Sequence, residues 1–243
     1  MINPWHGKIF RRPGNKFNRP RRRTILGLGV YLGAVLANAG VRAAAVCLLT
    51  PDSGEGPFYF DPELVRSDIR SGEPGVILDL TMQIVSTADC RPLEHARVDV
   101  WHANALGLYS GYTYQRGVGA VDPRTVRKKK YLRGIQFTDV QGRARFRTVY
   151  PSWYYGRTPH VHFKIYIDSR EALASQIFFP DEINDDVLNN CDPYREYAAR
   201  RNVTNANDMF LRNGVEGVFC EVEKNSVGYD ASVVVVIAVN APS

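Results

Sequence analysis

The sequence predicts an all-β sandwich with long loops. Three observations carry this: six or more short runs of alternating or β-branched apolar residues, clusters of turn formers between them, and little helical periodicity. Val76 to Val85 is the first predicted strand, with apolar residues at 77, 78, 80, 82, 84 and 85. After a turn at Thr87 to Pro92, Arg97 to Trp101 alternates Arg, Val, Asp, Val, Trp and is expected to be half-buried. Gly107 opens a long loop that ends in Arg127-Lys128-Lys129-Lys130, a solvated charge run.

Ile135 to Thr138 and Arg143 to Val149 form an expected hairpin closed at Asp139-Val140-Gln141-Gly142. In its second arm Ala144, Phe146 and Thr148 face inward, and Arg143, Arg145 and Arg147 face water, as on the wet side of an antiparallel sheet. Val161 to Ile167, Ser175 to Phe179 and Ser232 to Val239 complete the strands. Residues 47–75 hold repeated Pro, Gly and Asp and read as an ordered arm rather than a core element. A short helix is expected within Val187 to Asn202.

Residues 1–45 are set apart from the folded domain, residues 46–243. They carry nine Lys or Arg and no acid, with Arg21-Arg22-Arg23, a short apolar run from Thr24 to Ala37, and small residues after it. This pattern describes a cleaved export signal and is too short for a comfortable membrane span. Arg22-Arg23-Thr24-Ile25-Leu26 resembles a twin-arginine signal, without its usual Ser and Phe. The chain is formally +6, and removing nine positive charges leaves −3. The folded part therefore gives no support for nucleic-acid binding, and no stable membrane insertion is expected once the signal is removed. All four cysteines lie beyond the leader, an even number in an oxidising compartment. The preferred pairing is Cys47–Cys90 with Cys191–Cys220, each pair being close in chain order.

The chemistry concentrates in Pro151 to Phe163, where His160 and His162 stand one residue apart behind Tyr154, Tyr155 and Arg157. On a strand both imidazoles point to one face, and Val161, Phe163 and Ile165 to the other. Two such imidazoles can bind one metal, and imidazole suits zinc, copper, iron and nickel alike.

Two further segments join this one: Arg97 to Asn104 followed by Gly107-Leu108-Tyr109-Ser110, and Leu132-Arg133-Gly134 with Thr138-Asp139, Gly142, Phe146 and Thr148. Together with the arm Glu55-Gly56-Pro57-Phe58-Tyr59, they resemble the intradiol ring-cleavage dioxygenases, most closely the protocatechuate 3,4-dioxygenase type. The resemblance covers roughly residues 47–180, and the last sixty or so residues add little to it.

It implies a β-sandwich holding one Fe(3+) through Tyr109, Tyr154, His160 and His162, with Arg157 and Gln176 as further active-site residues. Two phenolates favour Fe(III). The substrates it implies are a catechol-type aromatic and O2. The ring opens between the two hydroxyl-bearing carbons to a muconate-type diacid, with Tyr154 as base and Arg157 opposing negative charge. Family members occur as homo-oligomers and as paired unlike chains. Three other readings stand beside this one: a transthyretin-like binding module without catalytic iron, an enzyme acting on a lignin-derived aromatic, and a metal hydrolase. His95 and His102 match no ligand position and are expected to be structural or surface residues.

Overall fold

The computed structural model describes residues 47–119, 122–213 and 218–238. The residues read as an export signal lie outside the described residues, as does the predicted end of the last strand. The described chain forms nine strands: β1 Ile77–Ser86, β2 Arg97–His102, β3 Arg133–Phe137, β4 Arg143–Val149, β5 His160–Ile167, β6 Arg170–Phe178, β7 Val218–Phe219, β8 Glu221–Lys224 and β9 Gly228–Ile237. They build a four-stranded sheet, β4-β1-β9-β8, and a five-stranded sheet, β3-β2-β5-β6-β7.

One core fills the space between the sheets. Leu78, Leu80, Met82 and Ile84 of β1 point into it at every second position, as do Tyr229, Ala231, Val233 and Val235 of β9. Val98, Val100, Val161, Phe163 and Ile165 meet them from the other sheet. Each large apolar side chain buried there contributes about 1.5–3 kcal/mol. On β4, Ala144, Phe146 and Thr148 are buried and the three arginines exposed, as the alternation predicts.

The predicted hairpin is not a hairpin. Its turn forms, with Asp139 N–H donating to Arg143 O at 3.0 Å and Gly142 N–H to Asp139 O at 2.8 Å. Its arms, however, enter different sheets: β3 pairs with β2, and β4 with β1. A turn signal reports a chain reversal but not which sheet receives each arm. The arm of residues 47–75 then straps the two edge strands. Arg66 N–H donates to Ile135 O on β3, and Ile69 N–H to Arg147 O on β4, both at 3.0 Å. Backbone groups that would otherwise form open edges are thereby paired.

Three other expectations need correction. β2 is buried from Val98 to His102 rather than half-buried, because both faces of its sheet are covered. The α-helix, α1, runs from Asp181 to Asn190 and overlaps only the start of the expected stretch, whose interior holds a 3-10 helix instead. Asp181 and Glu182 suit its N-terminus, and Pro193 prevents its continuation into the 3-10 turn Tyr194–Arg200. Cys47 and Cys90 form a disulfide, but Cys191 and Cys220 are free thiols. Cys220 is buried and directs its thiol at Phe178 O, whereas Cys191 ends α1 and faces Asp186 O. Among the described residues no helix is long and apolar enough to cross a membrane.

His102 ties the two sheets together. Its Nδ1–H donates to Ala103 O at 2.8 Å, so Nε2 accepts from the Thr148 hydroxyl at 2.7 Å. Burial lowers its pKa to about 4 from the ordinary 6.5. The stability held by keeping this ring neutral is complete above pH 6.5 and is lost as pH falls towards 4, amounting to about 3 kcal/mol at most. Denaturation midpoints measured at pH 7, 5.5 and 4 should fall less steeply in His102→Gln than in the unsubstituted protein. Parallel decreases in the two proteins would contradict this account.

Candidate metal centre

The outward face of the five-stranded sheet carries the site. β5 presents His160 and His162 to it and Val161, Phe163 and Ile165 to the core, as its period of two requires. One cross-strand rung reads Arg133, Trp101, His162, Gln176 over β3, β2, β5 and β6. All four side chains are buried. Trp101 stacks on the His162 ring, centroids 5.1 Å apart. From the arm, Gly56 lies so close that a Cβ there would stand 3.0 Å from His162 Cε1.

Two loops add the tyrosines. After β2, Asn104 Oδ1 accepts from the N–H of Leu106 and of Leu108, each at 3.0 Å, and turns the chain. Gln115 then braces Tyr109 by accepting from its N–H and donating to its carbonyl, each at 2.7 Å. Before β5, Tyr154 and Arg157 bond each other's backbone across a tight turn, at 3.2 and 2.9 Å. Gly156 holds φ +77° there, a conformation that disfavours any side chain. The turn directs Tyr154 inward and leaves Tyr155 74% exposed, which separates two adjacent tyrosines that the sequence leaves easily confused.

Four donor atoms converge. The Tyr109 hydroxyl lies 3.5 Å from that of Tyr154, and each lies 3.2 Å from His160 Nε2. His160 Nε2 is 3.1 Å from His162 Nε2. Tyr109, His160 and His162 are buried, whereas Tyr154 is partly exposed. His160 Nδ1–H donates to Thr158 O at 2.7 Å, so its Nε2 carries the lone pair in the neutral ring. Burial, with Arg157 next in weight, holds both imidazoles well below their usual pKa and so neutral. Burial likewise raises both phenols, although the Arg157 charge partly offsets this at Tyr154.

This donor set fits a cation. Ligands about 2.0–2.1 Å from one first-row metal stand ~3.3 Å apart along a tetrahedral edge, within the spread seen here. Two imidazole nitrogens facing each other at 3.1 Å need a proton or a cation between them. Among the described residues no group of three or more His, Cys, Asp or Glu is placed to hold a metal, so the tyrosines are integral to this set.

Arg157 and Gln176 meet as neighbours, the guanidinium Nη2 donating to Gln176 Oε1. Sequence reasoning missed what lies beyond them. Arg157 Nε donates to Asp208 at 3.0 Å, with both side chains buried. Asp208 sits in an Asn-rich stretch with no signal to distinguish it from surface turn. Phe58, which stacks on Tyr109 at 4.4 Å, and Trp101 were also missed as members of the site. Trp101 had a signal, because period two places it on the outward face with Arg97 and Asp99.

Residues 54–222 match the family model described as Dioxygenase. The chain is 32% identical over 151 residues to a catechol 1,2-dioxygenase of Acinetobacter baylyi, covering 53% of this chain and 45% of that protein. It is 30% identical over 131 residues to a protocatechuate 3,4-dioxygenase beta chain of Burkholderia cepacia, covering 50% and 53% respectively. The chain thus spans about half the length of these relatives. Its structure is similar to an intradiol ring-cleavage dioxygenase from Tetranychus urticae, with a TM-score of 0.70 and 28% identity, covering 79% of this chain and 95% of that one. A family match over most of the chain, on a sandwich of the same build, establishes that this protein belongs to the intradiol ring-cleavage dioxygenases.

Proposed function

We propose that this chain is a ferric intradiol dioxygenase that opens a catechol-type ring with O2, between the hydroxyl-bearing carbons, to a muconate-type diacid. The convergence of the Tyr109 and Tyr154 hydroxyls and His162 Nε2 on His160 Nε2, each at 3.1–3.2 Å, carries this reading. These four residues would hold the ion, and paired phenol oxygens suit a hard trivalent cation. When bound, the ion supplies Lewis-acid activation of the catechol and a template for its two oxygens.

The chain's own groups divide the remaining work. Tyr154 is the partly exposed member of the set, and as the phenolate that a bound ion would favour, its Oη would take up a catechol proton and become the neutral phenol. Tyr109 stays enclosed beneath Phe58 as an anchor. Arg157 opposes negative charge that develops on the ring, a fixed cation needing no reorganisation. Trp101 and Phe58 wall the imidazoles and phenols from water.

A transthyretin-like binding module would have no use for two imidazole nitrogens held face to face. A zinc hydrolase would need three His or carboxylate ligands and a water, which this donor set does not provide.

Purified protein should be red-brown from phenolate-to-iron charge transfer. His160→Ala and His162→Ala should each abolish iron retention, measured by elemental analysis. A colourless protein that takes up zinc stoichiometrically and gains no activity with iron would overturn the assignment.

Turnover separates the remaining roles. Tyr154→Phe should keep more iron than either histidine variant while losing ring cleavage. Arg157→Gln should keep iron and colour and lose about 10²-fold or more in rate, the scale of one electrostatic donor. Product mass after reaction in labelled O2 should show both oxygen atoms in a diacid. Cleavage beside the two ring oxygens would contradict the intradiol assignment.

We also propose that residues 1–45 direct export. Mass spectrometry of protein from its native host should find a mature N-terminus between about Gly40 and Val46. An intact N-terminus in a cytoplasmic fraction would refute export.

A further inference from the structure

We infer that Asp208 is a positioning residue for Arg157, supplied by a segment from the C-terminal third of the chain. The inference rests on the proposed dioxygenase reading and assigns a role to a residue outside the donor set. The Asp208 carboxylate is fully enclosed. One oxygen accepts from Arg157 Nε at 3.0 Å and from Thr158 N–H at 2.8 Å. The other accepts from Phe210 N–H at 2.9 Å and Leu211 N–H at 3.2 Å. The Phe210 ring lies under the same guanidinium, 4.0 Å from its central carbon. Met209 N–H donates to Gly156 O at 3.0 Å and docks the segment on the turn that carries Tyr154.

Arg157 is therefore held along one edge by Asp208, at Nη2 by Gln176 and on one face by Phe210. A planar guanidinium fixed at these points has a single orientation. The orientation matters because Arg157 shares the tight turn with Tyr154 and its Nη2 meets Gln176, the cross-strand neighbour of His162. An isolated guanidinium would also repel a metal cation at those donors. The enclosed carboxylate balances it while leaving its outer nitrogen beside Gln176.

The test compares Asp208→Asn, Arg157→Gln and the double variant. Asparagine keeps the shape and an acceptor oxygen but removes the charge. In the metal-free protein each single variant leaves one buried charge unmatched, and Tm should fall by about 6–15 °C. The double variant, with neither charge, should recover part of that loss. In iron-loaded protein Asp208→Asn should slow kcat about 10²-fold through misplacement of the guanidinium. The anaerobic catechol Kd, read from the absorption shift, should stay within about threefold. Adding Asp208→Asn to Arg157→Gln should slow turnover no further, because Asp208 acts through Arg157. Additive losses in kcat, or a double variant less stable than both singles, would show a merely structural Asp208 and overturn the inference. If Asp208→Asn fails to fold, the comparison of the double variant with Arg157→Gln still decides it. Wild-type protein that takes up no iron and cleaves no catechol would overturn the dioxygenase reading and this inference with it, an outcome recognisable without any Asp208 variant.

Discussion

Both faces of β5 are buried, and the organisation of the site depends on that constraint. A strand with one wet face can place histidines in water at no cost. Here the alternation sends Val161, Phe163 and Ile165 to the core, and His160 and His162 into a second enclosed layer under the arm and loops. Enclosed imidazoles need partners or a metal. The Thr158 carbonyl and the two phenols meet that need at His160, whereas His162 stacks on Trp101, meets His160 through Nε2 and keeps a buried Nδ1 with no hydrogen-bond partner. The covering segments are thus part of the site.

The same enclosed layer explains the charge pairs beside the site. Lys164 follows His162 on the same face and is buried against Glu55 and Glu171, its ammonium 4.3 Å from the centre of the Tyr59 ring. The Tyr59 hydroxyl donates to Asp99 at 2.9 Å, and Asp99 pairs with Arg97. Each outward-facing charge on β2 and β5 is therefore matched by the arm or by a neighbouring strand. Removing one member of such a pair is more costly than the pair's own worth, because a buried charge is left alone. Glu55 adjoins Gly56, so the bond that compensates Lys164 also seats the arm against His162.

Much of this was legible in the sequence, for identifiable reasons. Local alternation gave the facing of β1, β4 and β5, because period two is a property of a single strand. Motif resemblance singled out Tyr109, Tyr154, His160 and His162, and the fold brings these four side chains together. Spacing favoured Tyr154 over Tyr155, and the Gly156 turn places the Tyr154 hydroxyl beside Tyr109 and His160 while Tyr155 is exposed. What failed required knowledge of non-local pairing. The Asp139–Gly142 turn was visible, but the divergence of its arms into two sheets was not. Cys191 and Cys220 are near in chain order and even in number, yet their thiols face different carbonyls. Asp208 lay in a polar stretch resembling any surface turn, and only the tertiary fold places it against Arg157.

The order of the four-stranded sheet has a consequence for how the chain acquires this structure. β1 is an interior strand flanked by β4 and β9, and its whole length runs parallel to β9, with Ile77 opposite Gly228 and Ser86 opposite Ile237. The first strand of the domain therefore waits for the last. During synthesis the side of the core under Tyr229, Ala231, Val233 and Val235 stays open until β9 has left the ribosome. Contacts so distant in the chain slow folding, since the entropy of closing the loop precedes the reward of pairing. Such a domain completes its core only once β9 has joined β1.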